Sequence, residues 1–139
     1  MPFVLDNSVV AGWFLQNQAT AYSDAVAQGL RDDTAHVPAV WELEFTNVLR
    51  TCCLRQRMNA QHAQAVVVQI GALPITVDRH PVARSELLAL ALRFGLSSYD
   101  AAYLELALRL QCPVASQDEA MRFAAMAAGV GCVTAGEEG

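Results

Sequence analysis

The chain has 139 residues and 15.0 kDa, of which 54% are hydrophobic and 17% charged. This composition excludes a disordered chain, and the length suits one domain, which we assign to residues 1–139. The net charge is −5 and no lysine is present, which argues against nucleic-acid binding through overall charge. Any contact with phosphate must therefore use a few placed arginines or bound cations.

The sequence also indicates where the protein works. It contains no run of eighteen apolar residues, and no basic segment precedes the first apolar one, so we expect neither a membrane span nor a secretory signal. The cysteines lack the paired spacing of zinc sites, and their number and positions suit a reducing compartment. They are Cys52, Cys53, Cys112 and Cys132. We therefore expect a cytoplasmic protein.

Short apolar segments alternate with helical patterns in the first half of the chain. The apolar segment over 3–5 ends in Asp6, and apolar residues then recur at the spacing of a helix. Proline before the long third helix and Asn59 before the fourth are typical of helix starts. The predicted elements are a strand over 3–5, helices over 8–15 and 21–30, a strand over 36–38, and helices over 39–57 and 60–70.

The second half continues the same alternation. Gly95 and Gly129 follow helical patterns and are typical helix stops. The predicted elements are a strand over 75–77, helices over 81–94 and 99–110, a strand over 113–115, a helix over 119–128 and a last strand over 130–134, before a polar tail. Strands that alternate with helices predict an α/β fold with a mostly parallel sheet covered on both faces.

Three aspartates stand where strands end or helices begin. Asp6 ends the first strand, Asp100 lies in the first turn of a helix, and Asp118 follows the strand over 113–115. Ligands of open α/β sheets bind at the carboxyl ends of the strands, so these acids are candidates for a common site. Aspartate is also a favoured N-cap, and for any one of the three alone capping is the commoner role.

A fourth acid, Glu44, lies inside the predicted helix over 39–57. It borders an apolar stripe, where a carboxylate is unfavourable unless it is paired, protonated, bound to a metal or extended to solvent. The stripe consists of Trp41, Phe45, Val48 and Cys52. Glu42 lies on the other flank of this stripe, and the periodicity does not separate the two glutamates.

A meeting of these carboxylates would require compensation. Two like charges about 4 Å apart repel by about 4 kcal/mol at an effective dielectric constant near 20. Such a cluster persists by binding protons or hard cations, and oxygen ligands favour Mg²⁺ or Mn²⁺. Those ions activate water and stabilise phosphate charge, so the hypothesis is a phosphoryl-transfer or hydrolysis site.

Four segments that contain these acids resemble the PIN-domain ribonucleases, and more narrowly the VapC toxins of bacterial toxin–antitoxin pairs. Their order and spacing agree with that family over nearly the whole chain. The segments are FVLDNS over 3–8, EFTNVL over 44–49, SYDAAY over 98–103 and SQD over 116–118. Each motif alone is weak, whereas four in register are fairly specific.

The resemblance implies roles for particular residues. The family has acids at the positions of Asp6, Glu44, Asp100 and Asp118, and small hydroxyl residues at Ser8 and Ser116. Ser116 stands where threonine is commoner. The Glu-x-x-Asn pattern favours Glu44 over Glu42 and adds Asn47 as a supporting residue.

The resemblance further implies a PIN-like three-layer α/β/α fold and metal-dependent cleavage of RNA. By family analogy Asp6, Asp100 and Asp118 bind Mg²⁺ or Mn²⁺ directly, while Glu44 binds it through water or activates the attacking water. Family members are usually homodimers and are neutralised by a small antitoxin protein. A PIN-like domain that binds RNA or a protein without cutting is the alternative that stays open.

Two other observations bear on function. Haloacid-dehalogenase-like phosphatases and response-regulator receiver domains also use strand-end acids, but both need a lysine, which this chain lacks. Arg50, Arg55 and Arg57 lie near the end of the long helix. They either contact RNA phosphates or stabilise the helix C-terminus, and the second role is the commoner one.

Overall fold

Four parallel strands form one sheet in the computed structural model, which describes residues 1–134. The strands are β1 (Phe3–Leu5), β2 (Ala35–Pro38), β3 (Ile75–Asp78) and β4 (Val114–Ala115), and their order across the sheet is β3-β2-β1-β4. In the register, Val4 pairs with His36 on one side and with Val114 on the other. The strand order therefore changes direction at β1, and in sheets of this kind ligands bind at the carboxyl ends of the strands beside such a point.

Seven α-helices flank the sheet in the described residues. They are α1 (Asn7–Phe14), α2 (Ala21–Gly29), α3 (Val40–Leu54), α4 (Ala60–Gly71), α5 (Arg84–Phe94), α6 (Ser98–Leu110) and α7 (Glu119–Ala127), with a short 3₁₀ helix at Gln16–Gln18. Side chains cap several helix starts: Thr20 forms a capping box with Ser23 at α2, and Asn59 accepts the N–H of His62 at α4. The α/β fold with a parallel sheet is confirmed.

The core lies between β1 and the helices packed on it. Val4 and Leu5 are fully buried, as expected for a central parallel strand covered on both faces. Helix α6 packs across β1, β2 and β4, and its Tyr103, Leu104 and Leu106 are fully buried. Because Asp6 follows Leu5 directly, the same packing that fixes β1 also fixes the position of this acid.

The predicted elements differ from the observed ones mainly at their ends. Helix α3 ends at Leu54 rather than at residue 57, because Gln56 has a left-handed backbone (φ 58°). Helix α5 begins at Arg84 rather than at residue 81, since Ala83 is still extended. The predicted last strand is reduced to one bridge between Val114 and Cys132, and the tail over 135–139 lies outside the described residues.

Two further observations concern membrane-spanning helices and the cysteines. None of the helices in the described residues has the length and apolarity needed to cross a bilayer. All four cysteines are free thiols, and Cys52 and Cys112 are buried.

Candidate active site

Asp6 lies at the carboxyl end of β1 and is held by three hydrogen bonds. Its Oδ1 accepts the N–H of Asn7 (2.9 Å), so it caps α1. Its Oδ2 accepts the hydroxyls of Ser8 (2.9 Å) and Ser116 (2.7 Å). Burial raises the pKa of this carboxyl, although the hydrogen bonds oppose the increase. The carboxylate is therefore fixed in orientation and only 8% exposed.

The two serines also join α1 to the connection between β4 and α7. The Oγ of Ser116, which is fully buried, accepts the N–H of Asp118 (3.0 Å). Gln117 donates its backbone N–H to Ser8 Oγ (3.0 Å) and its Nε2 to the Ser8 carbonyl (3.1 Å). The structure thus brings the predicted supporting residues Ser8 and Ser116 into direct contact with Asp6. Sequence reasoning gave Gln117 no role.

The capping interpretation holds for two aspartates and fails for the third. Asp118 caps α7, because its Oδ2 accepts the N–H of Met121 (2.9 Å). At α6 the cap is Ser97, whose Oγ accepts the N–H of Asp100 (3.1 Å). The carboxylate of Asp100 is therefore not needed to start its helix.

Asp100 is the acid most affected by its neighbours. Partial burial, followed by the carboxylates of Asp6, Asp118 and Glu44, raises its pKa to about 6. The four predicted acids therefore lie close enough to influence one charge, although they come from β1, α3, α6 and the start of α7. Within residues 1–134 none of the four forms a hydrogen bond or ion pair with an arginine side chain.

The structure distinguishes Glu44 from Glu42 by their partners. The hydroxyl of Tyr103, on α6, donates to Oε1 of Glu44. Burial raises the pKa of Glu44, the Tyr103 bond lowers it, and Asp6 raises it further. Glu42 instead forms an ion pair with Arg79 (2.9 Å) that is exposed to solvent. Glu44 belongs to the acidic cluster and Glu42 does not.

Tyr103 is a site residue to which sequence reasoning gave no role. It is fully buried, and its hydroxyl has Glu44 as its partner. Its position was nevertheless readable, because it follows Asp100 by three residues and such residues share a helix face. Asn47 differs: it is exposed, and in the described residues it forms no side-chain hydrogen bond with the acids. It lies about one turn beyond Glu44 on α3.

The donor groups suit a hard cation by their chemistry but not by their present arrangement. As the side chains stand, no group of three or more Asp, Glu, His or Cys residues in the described part of the chain is arranged to hold one. The chemistry of the donors fits a hard cation, because the nearby groups are carboxylates and hydroxyls. After burial, the neighbouring carboxylates are the next causes of the raised pKa of Asp100, and no arginine pairs with these acids in the described residues.

The PIN domain family model matches residues 3–128. The chain belongs to the PIN domain family. It is 34% identical over 115 residues to Ribonuclease VapC12 of Mycobacterium tuberculosis, in the strains CDC 1551 / Oshkosh and ATCC 25618 / H37Rv, and the match covers 83% of this chain and 85% of that protein. The resemblance to VapC-type PIN proteins is confirmed.

A known structure supports the fold independently of sequence. The crystal structure of PAE2754 from Pyrobaculum aerophilum matches with a TM-score of 0.65 at 17% identity. The match covers 96% of this chain and 88% of that one. The PIN-like α/β/α architecture is therefore confirmed as well.

Proposed function

We propose that this chain is, as a single PIN-like domain, a metal-dependent endoribonuclease and the toxin of a VapBC-type toxin–antitoxin pair. One observation carries the proposal. Four acids from four separate elements influence one another at the direction change of the sheet, and none has an arginine partner in the described residues. The 34% identity to a protein named as a ribonuclease supports RNA as the substrate.

The acids are the proposed ligands of Mg²⁺ or Mn²⁺. Asp6, Asp100 and Asp118 would hold the ion directly, and Glu44 would hold it through water or activate the attacking water. When bound, the ion supplies positive charge to the phosphate and lowers the pKa of a bound water. The carboxylates alone would repel a phosphodiester, so activity requires the cation.

The other residues orient these groups. Ser8 and Ser116 both donate to Oδ2 of Asp6 and so fix the direction in which this carboxylate faces. Tyr103 occupies Oε1 of Glu44, which leaves Oε2 as the atom that accepts the proton of the attacking water. The raised pKa of Glu44 suits such a base. Asn47 would support this set from the next turn of α3.

The proposal includes the setting of the activity. We propose a cytoplasmic homodimer that a small antitoxin protein neutralises. The support is the identity to Ribonuclease VapC12 over 83% of the chain. Free, partly buried cysteines are compatible with a reducing compartment.

The test compares wild type with Asp100→Asn. Total cellular RNA is incubated with each protein in Mg²⁺, in Mn²⁺ and in EDTA, and the products are separated by size. We expect the wild type to cut, and both EDTA and the substitution to reduce cutting by roughly 10³-fold, because the ion and one of its ligands are lost. Circular dichroism checks that the variant is folded.

Glu42→Gln is the matched control, since it removes an acid from the same protein outside the cluster. It should cut like wild type. Equal cutting by Asp100→Asn and wild type would mean that the activity comes from a contaminant or another site. If the metal-loaded protein binds RNA but does not cut it, and expression of the protein is not toxic to cells, a silent binding domain would be favoured.

A further inference from the structure

We propose that one face of α3 continues the active site as a channel for the substrate strand. The inference rests on the proposed function, because it assigns the surface that binds the RNA phosphates next to the cleaved one. We call this surface the α3 channel. It is defined by Asn47, Thr51, Arg55 and Arg57 on one side and by Leu15 and Gln18 on the other, around a cavity of ≈ 170 Å³.

Helix geometry connects the channel to the acids. An α-helix turns about 100° per residue, so residues seven and eleven positions after Glu44 lie within about 20° of its direction. Those residues are Thr51 and Arg55, and both line the cavity. The rise of 1.5 Å per residue places Arg55 about 16 Å along the helix from Glu44. An extended RNA strand spans that distance in a few nucleotides.

The charge of the channel matches a phosphate backbone. Arg55 and Arg57 are exposed, and in residues 1–134 neither forms an ion pair. Three other arginines are engaged: Arg79 and Arg109 pair with acids, and Arg122 donates to the Ser116 carbonyl. Arg31, Arg50 and Arg84 are also exposed and form no ion pair within residues 1–134, but none of them lines this cavity. In a chain of net charge −5, two free guanidinium groups at one cavity stand out as a place for an anion.

The end of α3 is built so that both arginines reach the same cavity. The left-handed backbone of Gln56 (φ 58°) reverses the chain, and the N–H of Arg57 returns to the Cys52 carbonyl (2.9 Å). The N–H of Gln56 bonds to the Cys53 carbonyl (3.1 Å). Since backbone N–H groups already satisfy these carbonyls, the guanidinium groups are not required as caps.

The experiment measures RNA binding separately from cutting. The Asp100→Asn protein is titrated in Mg²⁺ against a fluorescein-labelled 12-nucleotide RNA of random sequence, and anisotropy gives Kd at several salt concentrations. Adding Arg55→Gln and Arg57→Gln should raise Kd about tenfold. The slope of log K against log salt should fall by about 1.4, because each lost phosphate contact removes about 0.7 for a single strand.

A matched control removes two positive charges elsewhere. Arg50 lies on the same helix, nearer to Glu44, but about 120° away from the channel face, and it is exposed. Arg31 is exposed just after α2 and does not line the channel. The Arg31→Gln/Arg50→Gln protein should keep Kd within about twofold of its parent. Arg55→Lys/Arg57→Lys, which keeps the charge, should retain most of the salt slope.

The outcomes separate this inference from the proposed function. Equal loss of binding in the channel variant and the control, or a parent that binds no RNA in Mg²⁺, would overturn the channel. Unchanged RNA binding combined with lost affinity for a protein partner would reassign the surface to that partner. If the channel variant loses RNA binding while wild type never cuts RNA, the channel stands and the nuclease proposal fails. In a wild-type background, the channel variant should raise KM about tenfold and leave kcat within about twofold.

Discussion

Helix α6 contributes acids to two neighbouring regions. In the described residues, the acids of the first region have no arginine partner, whereas those of the second are paired with an arginine. At its start, Asp100 faces three further carboxylates, and its pKa is raised to about 6 by burial and by those charges. Five residues later, Glu105 is paired with Arg109, which also binds Asp78 at the carboxyl end of β3. Both regions lie at the carboxyl edge of the same sheet.

The paired region shows what a structural acid looks like in this fold. Arg109 donates Nε to Glu105 (2.9 Å) and both terminal nitrogens to Asp78 (2.7 and 3.2 Å). The hydrogen bond from Arg109 is the main reason why the pKa of Asp78 is lowered. Glu105 is buried at 6% exposure but compensated. No arginine is paired with Asp100 in the described residues, which supports a role for the acidic cluster beyond stability.

The largest effect that we expect on stability is at the paired region. Arg109→Met leaves Glu105 buried without its partner, and should lower the free energy of unfolding by about 3 kcal/mol at pH 7. The loss should shrink below pH 4, because the lowered pKa of Asp78 gives stability above its unfolded value of 3.8 that disappears as the pH falls. Urea unfolding of wild type and variant at pH 7 and below pH 4 measures this loss in the free energy of unfolding. Arg84→Met, at an exposed arginine, is the control, and equal losses would contradict the comparison.

Tyr103→Phe should reduce catalysis at the acidic cluster without unfolding the protein. The variant keeps the ring and removes the bond to Glu44, so we expect kcat to fall about tenfold, or roughly 1.4 kcal/mol, with KM unchanged. The Tyr103 bond lowers the pKa of Glu44. Without it the base titrates at higher pH, and the acidic limb of the pH–rate profile should shift upward.

Tyr99→Phe provides the matched control, since Tyr99 is on the same helix but 61% exposed. It should change neither kcat nor the profile. A Tyr103→Phe enzyme that loses stability but keeps the wild-type profile would show that the hydroxyl only supports packing.

Asp100→Asn should increase stability in the absence of metal. An acid with a raised folded-state pKa favours the unfolded state when it ionises, so wild-type stability should fall as the pH rises from about 4 to 6. The full shift corresponds to about 3 kcal/mol. Solvent screening of this partly exposed group reduces the expected gain at pH 7.5 to about 1 kcal/mol.

Urea unfolding in EDTA at pH 4 and pH 7.5 tests this sign. The two proteins should differ much less at pH 4, where Asp100 is protonated in the folded state and roughly half ionised in the unfolded chain. A variant that is less stable than wild type at pH 7.5 would mean that the carboxylate makes a favourable contact, and the contrast with the Arg109 region would be lost.

The sequence was sufficient for the parts of the site that local pattern determines. Asp6 and Asp118 follow short apolar strands, and the hydroxyls of Ser8 and Ser116 are close in sequence to those acids, so the strand order alone brings them together. Helix types also follow from periodicity. The end of α3 was missed because no glycine marks it; Gln56 adopts the left-handed conformation that glycine usually provides.

The remaining parts depend on contacts between distant residues. Tyr103 and Glu44 are 59 residues apart, and Arg109 and Asp78 are 31 apart. The Glu105–Arg109 contact alone could be predicted from the sequence, because residues four apart are neighbours on a helix. The last strand was overestimated because Val130 and Val133 suggest a β segment, whereas the residues described there form a single bridge. Propensity does not reveal how many partners a strand finds at a sheet edge.

Glu42→Gln should have the smallest effect and tests the assignment that periodicity left open. Its ion pair with Arg79 is exposed on both sides (45% and 65%), so its loss should change the free energy of unfolding by about 0.5 kcal/mol or less. RNA cutting should stay within about twofold of wild type. Glu44→Gln, two residues away on the same helix, should lose cutting by roughly 10²-fold, because it removes the base of the cluster. If the two variants exchanged these effects, α3 would present the other glutamate to the substrate, and the α3 channel, which is aligned on Glu44, would lose its starting point.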